Sequence, residues 1–113
     1  MNSSPSDLYG ELSGLTKALD ISIKQLRKTG TEYAAAERDY KILLRTECLK
    51  ARDNGMPIGL IDKICYGIPS VAEARFTRDV AEAVYKANQE AVNATKLKIR
   101  IINDQIEREW NSQ

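Results

Sequence analysis

Apolar residues in the first half of this chain recur in steps of three and four: Leu8, Leu12, Leu15, Leu19, Ile23, Leu26, Tyr33, Ala36, Tyr40 and Leu43. That spacing puts them on one stripe of an α-helix and excludes the alternation of a half-buried strand. The stripe is narrow, nearer the seam of two packed helices than a broad globular face. Two successive steps of four, Leu15 to Leu19 to Ile23, form a stutter that relaxes any supercoil locally. Gly30 falls inside the run, where a glycine costs roughly 1 kcal/mol relative to alanine. Leu26 and Tyr33 keep phase across it, so one continuous helix is expected rather than a break at Thr29-Gly30-Thr31.

The ends of this helix are marked by local chemistry. After a short polar tail, Pro5-Ser6-Asp7 reads as a start, with Ser6 accepting from an orphan backbone N–H. Asp53-Asn54-Gly55-Met56-Pro57 supplies a glycine and then a proline that cannot continue the helix. The first helix is therefore expected over 6–53. Residues 57–66 form a short apolar segment, expected as a helix of two turns ended by Gly67. Ser70-Val71-Ala72-Glu73 fits a capping box. A second long helix is expected over 71–110, with Phe76, Val80, Val84, Ala87, Ala91, Thr95, Ile99, Ile102, Ile106 and Trp110 as its apolar row. About forty helical residues span roughly 60 Å.

Four acid–base pairs have the acid four residues ahead, Asp20–Lys24, Glu37–Lys41, Glu82–Lys86 and Asp104–Arg108, each worth a few tenths of a kcal/mol. With a short connection the two long helices run antiparallel. The expected fold is all-α: an antiparallel, coiled-coil-like helical hairpin with a short helix at the connection, a single helical domain over residues 1–113. Two such helices leave much of each seam uncovered, and Leu97, Ile99, Ile101 and Ile102 occupy more than one face. An oligomer or a partner protein is therefore expected.

Composition narrows the function. The chain has 113 residues, 42% hydrophobic and 29% charged, with a net charge of +1. That is too apolar for disorder and carries no overall field to attract nucleic acid. No apolar run of about eighteen residues exists to cross a bilayer, and the first residues lack the pattern of a secretory signal. A host-cell cytoplasmic location is expected. With no histidine, the commonest general base and zinc ligand is missing. Cys48 and Cys65 stand seventeen residues apart with no second pair, and read as free, packed thiols. Gly55 and Gly59 flank a proline and lack the Lys-Ser/Thr of a phosphate loop. Ser70 or Cys65 as a nucleophile would have only Lys or a carboxylate to activate it. No catalytic residue, cofactor site or metal site is expected, and no enzymatic activity.

The outline of a helix-turn-helix around Gly67 fails on its core, because the packed positions would be Asp62, Lys63 and Glu73, and three buried charges are costly. Two sets of candidate contacts remain. Met56, Ile58 and Leu60 at the turn, with Ile102 in the seam, are candidates for protein binding. Lys24, Arg27 and Lys28 would lie beside Lys96, Lys98 and Arg100 if residues 24–28 pair with residues 94–100. Six cations in about two turns could track phosphates, although no aromatic residue interleaves to stack on bases.

The segments Glu32-Tyr-Ala-Ala-Ala-Glu-Arg-Asp-Tyr-Lys41 and Arg75-Phe-Thr-Arg-Asp-Val-Ala-Glu-Ala-Val-Tyr-Lys86, with the ending Ile99-Arg-Ile-Ile-Asn-Asp-Gln-Ile-Glu-Arg-Glu-Trp110, carry a likeness. They resemble small helical accessory proteins of phages and prophages of Gram-positive bacteria. The resemblance covers roughly residues 30–110 and transfers no functional residue. It implies a non-enzymatic protein of infection. Such a protein could bind another protein, for example a host defence nuclease or replication and recombination machinery. A nucleic-acid-binding accessory or an assembly chaperone are the alternatives. The chain does not match secreted hairpins of the Trp-X-Gly type, since its turn holds no tryptophan.

Overall fold

The computed structural model describes residues 5–112, with the side chains of Pro5 and Ser6 outside that description. The cap expected from Ser6 and the polar tail before Pro5 therefore fall outside the described residues. The fold is all-helical: α1 (Pro5–Asp53), α2 (Ile58–Cys65) and α3 (Pro69–Asn111). Helix α1 runs through Gly30 without a break. Among the described residues no helix is long and apolar enough to cross a membrane.

Two compact units divide the chain, one of residues 1–27 with 86–113 and the other of residues 28–85. Each pairs a stretch of α1 with a stretch of α3, antiparallel. In the 28–85 unit Tyr33 meets Glu82 and Tyr85, while farther along α1 Tyr40 meets Arg78. In the other unit Leu15 and Ile102 line one cleft, and Tyr9 shares another with Ile106 and Trp110.

Inward positions follow a strict alternation of three and four. On α1 they are Leu8, Leu12, Leu15, Leu19, Ser22 and Leu26 in one unit, then Thr29, Tyr33, Ala36, Tyr40, Leu43 and Glu47 in the other. Ile23 is half-buried beside Ser22, so the expected stutter is absorbed by two neighbouring positions sharing the seam. On α3 the inward row is Val71, Ala74, Arg78, Ala81 and Tyr85, and in the other unit Asn88, Val92, Thr95, Ile99, Ile102 and Ile106. This corrects the expected row in its first half. Phe76 is 63% exposed and Val80 and Val84 are each 46% exposed, while Trp110 is 71% exposed. From Thr95 to Ile106 the expected and observed rows coincide.

The connection is built by backbone chemistry. Gly55 has φ +85, the left-handed region that glycine enters without a Cβ penalty. Its N–H donates to the Arg52 carbonyl and the Met56 N–H to the Ala51 carbonyl, both at 3.0 Å. These are the paired bonds of a Schellman ending, which satisfy carbonyls that the helix leaves orphaned. Pro57, at φ −56 and ψ 134, turns the chain into α2. Helix α3 starts at Pro69, with the Ala72 N–H donating to the Ile68 carbonyl at 2.9 Å. The capping box expected at Ser70 does not form, because Ser70 lies inside the helix. Pro69 has a fixed φ and no N–H to satisfy, which suits the first helical position and moves the start forward. Ile61, Cys65 and Val71 are buried where α2 folds back within its unit.

Three glycines separate the local effects. At Gly14 nothing lies within 4 Å of an added Cβ, whereas at Gly30 it would come 3.0 Å from Cε1 of Tyr85. Gly14→Ala should therefore stabilise by up to about 1 kcal/mol. Gly30→Ala should show little or none of that gain, because the Tyr85 ring must move. Gly55→Ala should cost roughly 1–2 kcal/mol for a side chain in the left-handed region. Denaturant unfolding of the three variants would check this order, and equal gains at Gly14 and Gly30 would contradict it.

Candidate functional site

In the 28–85 unit the seam between α1 and α3 is polar and closely paired. The Tyr33 hydroxyl donates to Oε2 of Glu82 at 2.6 Å. The rings of Tyr33 and Tyr85 are tilted by 32° with centroids 5.9 Å apart, inside the favourable range for aromatic pairs. The guanidinium of Arg78 lies 4.6 Å from the centroid of buried Tyr40, a cation–π contact worth on the order of 0.5–2 kcal/mol. Arg78 Nη1 also reaches Oε1 of Glu37 at 3.5 Å, and its Nε donates to Oδ1 of Asp79 at 2.8 Å. Glu37 is shared with Lys41, again at 3.5 Å, which closes one of the four acid–base pairs expected from spacing. Burial opposes the charge on Arg78. The hydrogen bond to Asp79 and the charges of Asp79 and Glu37 outweigh it and hold the pKa above its ordinary value. No buried side-chain polar atom among the described residues lacks a partner. These residues grip one another, which makes them a device for helix pairing.

The thiols form a second group. Cys65 is fully buried on α2 and Cys48 half-buried on α1, both free. Burial, followed by its hydrogen bond with Cys48, pushes the Cys65 thiol above its ordinary pKa. A thiol held neutral is a poor nucleophile. Among the described residues no three His, Cys, Asp or Glu side chains are grouped to hold a metal ion.

The candidate protein contacts separate by position. Ile58 is 81% exposed, Leu60 is exposed and Met56 is half-buried, so the turn presents apolar surface. Ile64 and Tyr66 extend that surface, two residues that sequence reasoning missed. Helical period alone does not find Ile64, which stands three residues from buried Ile61 and so near its face. Ile102 is 7% exposed and belongs to the interior of its own unit.

The six candidate cations are all exposed, but the register expected for them is not the one observed. Lys98 lines a cleft with Glu11 and Leu15. Lys24 lies nine residues beyond Leu15 along α1, roughly 14 Å of helix. Lys24 and Arg27 share one helix face, and so do Lys96 and Arg100, but Lys98 points away from the latter pair. Lys28 belongs to the 28–85 unit. Glu11 further offsets the charge beside Lys98.

Compared with known proteins, the chain matches no family model, no curated protein and no solved structure.

The phenol of Tyr33 offers a direct check on the polar seam. Its hydrogen bond to Glu82, its burial and the charges of Glu82 and Glu37 push its pKa up to about 12, against about 10 for a free tyrosine. The folded state thus favours the neutral phenol. Its contribution to stability is complete below pH 10 and is lost as pH rises from about 10 through 12. A phenolate absorbance titration should show a late step for Tyr33, and Tyr33→Phe should abolish that step. A late step that survives Tyr33→Phe would refute the assignment.

Proposed function

We propose that this protein works by binding another protein, with the exposed apolar residues of α2 as its contact. One observation carries the reading: α2 keeps apolar side chains in water beside its buried ones. Ile61 and Cys65 are buried, while Ile58, Leu60 and Ile64 stand in water. Apolar surface costs about 25 cal/mol per Å² to keep hydrated, and clustered exposure on so short a helix marks a contact surface. Asp62 and Lys63 are the charged residues of this helix and cancel. The face therefore offers no field to a phosphate backbone but fits an apolar groove on a protein surface. The resemblance to phage accessory proteins supports placing that partner in the infected cell, as a defence nuclease or as replication or recombination machinery. On this reading the protein is a stoichiometric binder.

Salt dependence separates this from nucleic-acid binding. Phosphate contacts release counterions, so affinity falls by about 10³–10⁵ between low and moderate salt for six to ten contacts. Burial of apolar surface responds far less. The full chain, immobilised, should retain a specific protein from host or infected lysate across that salt range. Ile58→Asp with Leu60→Asp should abolish retention while helix content stays unchanged, because Ile58 makes little use of its own fold. Retention of the same protein by the double variant would overturn the assignment of the contact. A gel shift of DNA or RNA at physiological salt, lost on changing Lys96, Lys98 and Arg100 to Glu, would overturn the protein-binding reading itself.

A further inference from the structure

The chain has two cysteines, and they meet although they belong to different helices. Cys48 lies in the last third of α1 and Cys65 is the final residue of α2, both within the 28–85 unit. The turn at Gly55 and Pro57 returns the chain so that the two thiols share a hydrogen bond. Exposure divides their roles. Cys65 has no exposed surface, whereas Cys48 is half-buried and reaches solvent. A dissolved oxidant therefore meets Cys48 first.

We infer that Cys48 and Cys65 are a redox-sensitive pair, which a small disulfide such as oxidised glutathione converts into a bond stapling the end of α2 to α1. The exchange has two steps. Cys48 gives its thiol proton to water, and its sulfur attacks one sulfur of the oxidant. A Cys48–glutathione bond forms, the oxidant's own sulfur–sulfur bond breaks, and one glutathione leaves as a thiolate that takes up a proton. The Cys65 sulfur then attacks the Cys48 sulfur, and the second glutathione leaves with the proton that Cys65 held. Two protein thiols are oxidised and one small disulfide is reduced to two thiols. Burial keeps Cys65 neutral and slow toward oxidants in solution. Contact compensates in the second step, because a group held in place reacts at an effective concentration far above that of a dissolved thiol. Cys65 is thus the resolving partner of an accessible cysteine.

The fold allows the bond to close. A sulfur–sulfur bond is about 2.0 Å long, shorter than a thiol hydrogen bond, so α2 must approach α1. Helix α2 has eight residues and lies between two turns, at Gly55–Pro57 and at Tyr66–Gly67, so it can close the gap as one short piece without bending α1 or α3. Under reducing conditions the pair stays as thiols and packing alone holds α2; under oxidising conditions the staple holds it. The exchange needs nothing of the protein partner proposed for Ile58, Leu60 and Ile64.

The test treats the reduced, folded full chain with excess oxidised glutathione, blocks remaining thiols by alkylation and weighs the product. The wild type should become lighter by two hydrogens, carry no glutathione, stay a single chain, and yield a peptide linking Cys48 to Cys65. Cys65→Ala should stop at one glutathione on Cys48, and Cys48→Ala should stay unmodified over the same time. Oxidation should also raise the denaturant midpoint, since the bond closes a loop in the unfolded chain, with helix content unchanged. A wild type that keeps glutathione on Cys48, links two chains or retains both thiols would overturn the pair. So would a lowered midpoint, because the fold would then have to break to form the bond. Glutathione reaching Cys65 as readily without Cys48 would overturn the order of the two steps.

Discussion

Arg78 sits at the point where the packing of the 28–85 unit is decided. It occupies an inward position of α3, yet it remains charged, because Tyr40 offers a ring face and Glu37 and Asp79 offer carboxylates. One turn on, Glu82 accepts the Tyr33 hydroxyl, and beyond it the Tyr85 ring rests against Gly30. Three consecutive turns of α3 thus find matched partners on α1. The pairing permits one alignment: sliding α3 by a turn would set Arg78 beside Ala36 and leave Tyr40 without its cation. Polar seams of this kind select a register more than they add stability. Apolar contacts nearby, with Val71, Ile61 and Cys65 buried, supply the burial.

The turn between α1 and α2 works with the same economy. A glycine in the left-handed region closes α1, and a proline on each side of α2 fixes where the short helix can start and where α3 must begin. These are local rules, and they explain why the connection was readable from Asn54-Gly55-Met56-Pro57. They also explain the one error in it. Ser70 and Glu73 match a capping box, but Pro69 suits the first helical position better, and a competing signal one residue earlier prevailed.

How much else was legible depends on the mean period of each apolar row. On α1 the row from Leu8 to Leu43 covers 35 residues in ten steps, counting Gly30 as one, about 3.5 residues per step, which is the period of a helix seam. Those positions are the inward ones, except that Ile23 and Gly30 lie beside the inward Ser22 and Thr29. On α3 the row from Phe76 to Trp110 covers 34 residues in nine steps, about 3.8 per step. A row with that period drifts around the helix and cannot stay on one partner. It therefore begins on the outer face at Phe76, crosses to the inward face by Thr95 and leaves it again at Trp110. The row that holds phase, Val71, Ala74, Arg78, Ala81, Tyr85 and Asn88 onward, was hidden because Arg78 and Asn88 are polar and Ala74 and Ala81 are small. Counting steps would have exposed it; ranking residues by hydrophobicity could not. The tyrosines Tyr33 and Tyr40 were visible as seam positions, but their partners Arg78 and Glu82 read as surface charges until the register was known.

The same drift explains why α3 has apolar surface to spare. A helix whose only task was to close a seam with α1 would carry one row at period 3.5 and polar residues elsewhere. This one carries an inward row that is partly charged and an outer row that is not. Burying Phe76 and Val80 against α1 would bring Arg78 and Glu82 into water at little cost, so hydrophobicity alone does not choose between the two alignments. What tips the balance is that rotating α3 to do so would also withdraw Val71, which is fully buried, and break the contacts of Tyr33 and Tyr40.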